Sequence, residues 1–139
     1  LIPIITDEYP DPNFGSGAVK ITGAHDFNDY QVAKRRNIPM YSLMDKRGVM
    51  RCDGLSYKDA SAKAELIREE KITWDESLIA AMNLVPEEYR GLDRFKAREK
   101  IISEITAEGL AVMTEVTDTD GNSLIQPFVE SKAIMQPFG

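Results

Sequence analysis

Between Ala18 and Thr22 the side chains alternate, Val19 and Ile21 on one face and Ala18, Lys20 and Thr22 on the other, which is the period of two that a half-buried strand requires. Ile2 to Ile5 is a second short apolar run, separated from the first by DEYPDPNFGSG, whose prolines and glycines interrupt regular structure. The period then changes. Asp26 stands where it can cap a helix running to about Arg36, with Tyr30 and Ala33 on one side and Asn37 placed to end it before Pro39. Pro39 to Met44 and Val49 to Arg51 read as strands flanking the turn Asp45-Lys46-Arg47-Gly48.

The middle of the chain is helical. Ser56-x-x-Asp59 and Thr73-x-x-Glu76 resemble capping boxes and predict helices over about 57–70 and 74–82. Asp93 can cap a longer helix on which Phe95, Ile101, Ile102 and Ile105 make an apolar stripe, and Gly109 supplies its stop. Beyond it, Ala111 to Thr117 and Asn122 to Val129 read as strands around Asp118-Thr119-Asp120-Gly121, with Lys132 to Gln136 as a further strand. Trp74 and the methionines Met40, Met44, Met50 and Met82 are expected to fill the core. No internal repeat or low-complexity segment interrupts the pattern. The fold class is α+β, with strands towards both ends and a helical insertion over about 56–108.

Length and composition narrow the setting. At 139 residues the chain is one domain, and 42% hydrophobic with 29% charged residues indicates neither disorder nor a fibrous repeat. A formal charge of −6 argues against gripping nucleic acid by bulk electrostatics, so any such contact must be local. One cysteine, Cys52, excludes an internal disulfide, and one histidine leaves a zinc site short of ligands; a reducing, cytoplasmic setting is expected. No apolar run approaches a membrane span, and LIPIITDEYP lacks the basic start of a signal peptide. A start without methionine and an end on Pro-Phe-Gly suggest a piece of a longer chain.

Chemistry concentrates in GSGAVKITGAHDFNDYQVAKRRN, residues 15–37. Asp26 and Asp29 read either as helix N-terminal acids or as a ligand site. Asp29 is shorter than the Glu that normally completes a capping box, which leaves its carboxylate for a cationic ligand such as an ammonium. His25 reads as a hydrogen-bonded structural residue beside the cap or as a general base. Gly15-Ser16-Gly17 lacks the GxGxxG spacing and a P-loop lysine, so it reads as loop geometry. There is no G-x-S-x-G elbow, and Cys52 has no partner at a recognisable spacing, so covalent catalysis is not indicated. An EF-hand at Asp118 would need an acid or Asn at Val116 and a Glu at Pro127; no metal is expected.

GSGAVKITGAHDFNDYQVAKRRNIPM resembles the glycine-rich, aspartate-containing core of the editing domain in valyl-tRNA synthetases, closest to the alphaproteobacterial type. NLVPEEYRGLDRFKAREKIISEITAEGL resembles the same family's exit from its helical insertion, so the similarity covers most of the chain. The resemblance implies a barrel-like mixed β core, a single editing domain over 1–139 truncated on its N-terminal side, and hydrolysis of threonine mischarged onto valine tRNA. A hydrophobic pocket cannot strongly reject an isostere that adds a hydroxyl, a limit for which this family is the usual worked example. By the same resemblance Asp29 anchors the substrate α-ammonium, Lys20 and Thr22 line the threonyl and ribose groups, and Asp26 and His25 shape the pocket or place water. Gly15, Ser16 and Gly17 would let the backbone approach the aminoacyl adenosine.

The partners implied are the aminoacylated tRNA 3′ end and the rest of the synthetase chain, with the protein a monomer away from membranes. No cofactor is implied for this stretch, since ATP belongs to a synthetic domain whose His-Ile-Gly-His and Lys-Met-Ser-Lys-Ser signatures are absent here. Ser16 stands where many relatives have Thr, Gly23 where Pro is common and Arg36 where His is common. The family's threonine-rich Thr-x-Arg-Pro-Glu-Thr strand, another pocket wall, is expected before Leu1. A folded but catalytically incomplete fragment is therefore the alternative reading, and an unrelated small-ligand binder a third.

Overall fold

Asp26 opens the first helix as the sequence predicts. In the computed structural model, which describes residues 2–129, α1 spans Phe27–Arg35, and one oxygen of Asp26 accepts from the backbone N–H of Asn28 at 2.8 Å and of Asp29 at 3.1 Å. Those two donors have no partner inside the helix, so the cap satisfies them. Asn37 ends the helix in the left-handed region, at φ 51°, which Asn tolerates better than most side chains.

Helix α2, Tyr57–Arg68, begins at Ser56, whose hydroxyl accepts from Asp59 N at 3.1 Å and donates to the Asp59 carboxylate at 2.7 Å. It stops short of the expected residue 70, which has φ 57° and carries the chain out of the helix. Helix α3, Glu76–Ala81, starts later than the sequence predicts. Asp75, not Thr73, is its cap, accepting from Leu78 N at 2.7 Å; with two capping residues two positions apart, the carboxylate, the stronger cap, wins. Helix α4, Arg94–Ala107, is capped by Asp93 and released at Gly109, φ 72°.

The one sheet among the described residues is an antiparallel hairpin, β1 Met113–Thr117 with β2 Ser123–Pro127, Val116 opposite Leu124. Its turn is tied by Asp118, whose carboxylate accepts from Asp120 N and Asn122 N at 2.9 and 2.8 Å. Both strands are shorter than expected, and the strand predicted at 132–136 lies outside the described residues.

The α+β class therefore stands, but a barrel-like core is not shown. Ile2–Ile5 and Ala18–Thr22 form no strand, and 39–44 and 49–51 make only isolated bridges, Met44 to Met50 and Val49 to Asp93, around a turn that does close at Asp45–Gly48. Alternation prepares a face; a ladder also needs a neighbouring strand to pair with, and among the described residues none is present for 18–22.

Ala60, Ile67, Ile79 and Met82 form the core cluster, with Trp74, Leu55, Leu78 and Leu84 packed against it. Met82 is fully buried as expected, whereas Trp74, Met40, Met44 and Met50 are half-buried. Side chains tie the irregular backbone around this cluster. Asn83, fully buried, donates to the carbonyls of Arg51 and Asp53 at 3.0 and 2.8 Å and accepts from Val85 N at 2.9 Å. Arg51 donates to the carbonyls of Ser42, Ala80 and Met82, and Arg90 to those of Val85 and Leu55. The N-terminal arm is tied by Asp7, whose carboxylate accepts from Arg35 Nε at 3.0 Å, Arg36 Nε at 3.1 Å and Tyr9 N at 3.0 Å.

Asn83→Ala removes the partner of three backbone groups, of which the Val85 N–H is buried, and should destabilise the chain by about 1–3 kcal/mol for each group that water cannot reach. Urea unfolding followed by circular dichroism checks this.

The hydrogen bonds from Arg35, above all, hold the Asp7 carboxyl well below the usual carboxylate range. A depressed folded pKa stabilises docking above the unfolded value, near 4, and the contribution is lost as pH falls towards the folded one. The arm should stay docked at pH 5 and release only in strong acid, while Asp7→Asn should loosen it at neutral pH. The Tyr9 amide resonance followed against pH reads both.

Candidate functional site

Gly23 brings two segments together more closely than another residue would allow. A Cβ there would lie 2.6 Å from the Ala33 Cβ and 2.9 Å from Met40 Cγ, so the chain at Gly23 lies directly against α1. That approach places Thr22 beside Asp29. Thr22 donates to Asp29 Oδ2 through its backbone N–H at 2.7 Å and its hydroxyl at 3.2 Å. The same hydroxyl accepts from Lys20 Nζ at 3.1 Å, completing a chain of three side chains. Lys20 and Thr22 share a side, as the alternation predicts, although the stretch is not in a sheet.

Asp29 is 7% exposed, a charge-bearing group withdrawn from water in the first turn of α1. Its burial is tolerable because oriented donors and the positive end of the helix face it. It does not reach back to complete a capping box; both of its contacts with Thr22 fall on Oδ2. An ionised carboxylate has acceptor capacity beyond two hydrogen bonds, and this is what the site offers a cation.

The remaining predicted residues sit around this trio in different ways. Asp26 is spent on the helix cap. His25 is half-buried, and its Nε2 accepts from the backbone N–H of Leu43 at 2.9 Å, which in the neutral ring puts the proton on Nδ1. The imidazole thus pins the segment at 43 to the turn before α1. Gly15 and Gly17 have φ of 57° and 71°, conformations that suit glycine, and Ser16 Oγ accepts from Ala18 N at 3.3 Å. Among the described residues no hydrogen bond joins this turn to Lys20, Thr22 or Asp29.

A cleft of about 480 Å³ lies beside α1, lined by Tyr30, Lys34, Met40, Trp74 and Ile79 among others. Sequence reading placed Trp74 and Met40 in the core. The cleft escaped it because its walls come from α1, the segment at 37–42, Arg51, Trp74 and α3, which are far apart in sequence; the local hint was Tyr30 and Ala33 sharing one side of α1. Among the described residues no group of three His, Cys, Asp or Glu side chains is placed to hold a metal ion, and no helix is long and apolar enough to cross a membrane.

No family profile matches the chain. It is 57% identical, over 149 aligned residues that take in 99% of its length, to the valine–tRNA ligase of Ruegeria pomeroyi. It spans 14% of that protein, so the relative is much the longer. Identity at this level, carried through nearly the whole chain, makes this chain a segment of a synthetase that belongs to the valyl-tRNA synthetase family.

Proposed function

We propose that this segment is the editing part of the synthetase and hydrolyses the ester that joins threonine to the 3′ end of valine tRNA. The observation that carries the reading is the chain from Lys20 through Thr22 to Asp29, which ends on a nearly buried carboxylate oriented by two donors. A carboxylate so held suits a substrate ammonium, through a charge-assisted hydrogen bond stronger than a neutral one. Lys20, exposed at the other end of the chain, faces the threonyl and ribose groups.

In this reading the trio binds and water attacks the ester carbonyl, its oxygen forming the new bond to carbon while the ribose oxygen leaves and takes up a proton. Asp26 and His25 act as positioning residues in this reading. The cap holds Asp29 at the helix start, and the imidazole holds the segment at 43. Gly15, Ser16 and Gly17 form the turn along which the terminal adenosine lies. The partners are the aminoacylated tRNA 3′ end and the rest of the synthetase, with no cofactor needed for hydrolysis and the protein acting as a monomer in the cytoplasm. The barrel-like domain, truncated on its N-terminal side with a helical insertion over 56–108, belongs to the same proposal: residues 18–22 are extended, with a face prepared for strands supplied from elsewhere.

The alternative is a folded segment that binds but does not hydrolyse. It is favoured by the turn at 15–17, which makes no hydrogen bond to the trio among the described residues. Misplacing a substrate by about 1 Å can cost roughly a hundredfold in rate. The isolated chain should accordingly deacylate threonyl-tRNA far more slowly than a full-length synthetase carrying it, in a single-turnover assay of both. Equal rates would show that no further wall is needed.

Asp29→Asn is the sharper test of the site. Asparagine keeps an oxygen for the Thr22 donors, so the fold is retained, whereas Asp29→Ala would also strand the Thr22 N–H. Loss of a hydrogen bond to a charged group, worth about 1.5–3 kcal/mol, should slow deacylation roughly 10- to 100-fold in the full-length enzyme while valine charging is unchanged. Undiminished hydrolysis of threonyl-tRNA removes the ammonium-anchor assignment.

A further inference from the structure

The cleft beside α1 shares its wall with the contact made at Gly23. Ala33 and Met40, the two side chains nearest to Gly23, both line it, so the cleft adjoins the segment that carries Thr22. At 3.6 residues per turn Ala33 falls one turn on from Asp29 and about 40° round the axis, which sets the carboxylate and the cleft on neighbouring strips of one helix. A polymer whose end is held at Asp29 therefore has a place for an earlier unit close by.

The cleft is lined for a flat ring that carries charge. Trp74 and Tyr30, both half-buried, supply aromatic surface, and Met40 and Ile79 supply aliphatic surface. Its volume of about 480 Å³ lies within the roughly 300–1,000 Å³ of small-ligand pockets. Two of its residues carry charges that the fold leaves unpaired. Lys34 belongs to the basic run Lys34-Arg35-Arg36; both arginines are held by Asp7, whereas Lys34 is exposed and has no carboxylate partner among the described residues, its ammonium lying 5.8 Å from the centre of the Tyr30 ring. Glu76 is also exposed, and among the described residues its carboxylate enters no hydrogen bond or ion pair. Arg51, the other cation in the wall, is already taken up by backbone carbonyls and Asp53.

We propose that this cleft holds one unstacked nucleotide from the single-stranded 3′ end of tRNA, its base against Trp74 and Tyr30, its exocyclic amine donating to Glu76 and its phosphate facing Lys34. Single-stranded RNA is bound in this manner elsewhere, by stacking on aromatic side chains and by hydrogen bonds to base edges. A carboxylate only accepts, so cytosine or adenine, which present an amine, fits beside Glu76, and uracil, which presents a carbonyl there, does not. With a formal charge of −6 the chain can meet a phosphate only at a local cation, and Lys34 is such a cation. The inference rests on tRNA as the partner, as proposed above, and not on the hydrolytic role.

The test uses a full-length synthetase carrying this segment, with valine tRNA either uncharged or bearing threonine through a 3′ amide that water does not cleave. Hydroxyl-radical footprinting read by peptide mass spectrometry reports the side chains of Trp74 and Tyr30. The nucleotide site predicts both reactive in the free enzyme and protected at saturating tRNA. Low reactivity in the free enzyme means that another part of the synthetase fills the cleft and overturns the proposal, as does reactivity that neither tRNA changes. Protection by free CMP or AMP but by neither tRNA assigns the cleft to a free nucleotide and overturns it too. Replacing the single-stranded 3′ nucleotides by uridine one at a time should weaken binding about tenfold or more at one position, and Glu76→Gln, whose amide donates as well as accepts, should shrink that penalty. Uridine tolerated at every position overturns the assignment. Lys34→Gln should lower the slope of log affinity against log salt by about 0.7–1, a readout that a purely structural lysine would not move. Lys34 and Glu76 are both exposed, so neither substitution empties the core. Deacylation enters none of these readings, and the Asp29→Asn test above reads the ammonium anchor alone, so either proposal can fail while the other stands.

Discussion

The carboxamide of Asn83 solves the problem on which the rest of this chain depends: a backbone with one short hairpin among its described residues must still satisfy its buried polar groups. Sheets do this with ladders, and here residues 39–55 and 82–92 have almost none. Asn83 replaces a ladder by taking two carbonyls and one N–H at once, with every one of its contacts to main chain. Arg51 and Arg90 extend the same device to the carbonyls on either side. A planar fork of donors suits this work, since one guanidinium reaches several carbonyls whose directions no regular structure has aligned. Breaking such a centre costs most at the N–H of Val85, a buried donor that would be stranded.

The site inherits its geometry from a contact of another kind. Gly23 lets the chain lie close against α1, and beside it the N–H of Thr22 meets Asp29 at 2.7 Å. Asp26 sets where α1 begins, and so the height at which Asp29 sits. His25 fixes the intervening turn by accepting from Leu43 N. Of three residues that look like chemistry in the sequence, Asp26 caps the helix and His25 ties the turn to Leu43, while the Asp29 carboxylate faces Thr22.

How much of this the sequence shows depends on how local the cause is. Caps are local: Asp26, Ser56 and Asp93 are legible because a side chain satisfies N–H groups two or three residues away. Where two candidates compete, as at Thr73 and Asp75, the pattern alone does not choose. Strands are not local. Ala18–Thr22 has the right alternation, yet whether it pairs depends on a neighbour that no window of a few residues contains. The placement of Lys20 with Thr22 survived even so, because alternation is a property of extended backbone whether or not it is paired. The ties made by Asp7, Arg51 and Asn83 carry no periodic signal; each is a single polar residue with a partner 28, 31 or 32 positions away.

If the segment edits, Asp29 cannot be what tells threonine from valine, since both esters carry the same ammonium. Discrimination has to come from a group that meets the side chain, where the two differ by a hydroxyl in place of a methyl. The hydroxyl of Thr22 gives its one proton to Asp29 and accepts from Lys20, so as a donor it is already committed. Lys20 is not, because an ammonium has three donors and Thr22 uses one. A threonyl hydroxyl can accept a second, whereas a valyl methyl in the same place would take a donor out of water and return nothing, which is the asymmetry that makes a polar site reject an apolar isostere far better than the reverse. The carboxylate then supplies anchorage common to all aminoacyl esters, and the lysine held to it through Thr22 supplies the choice.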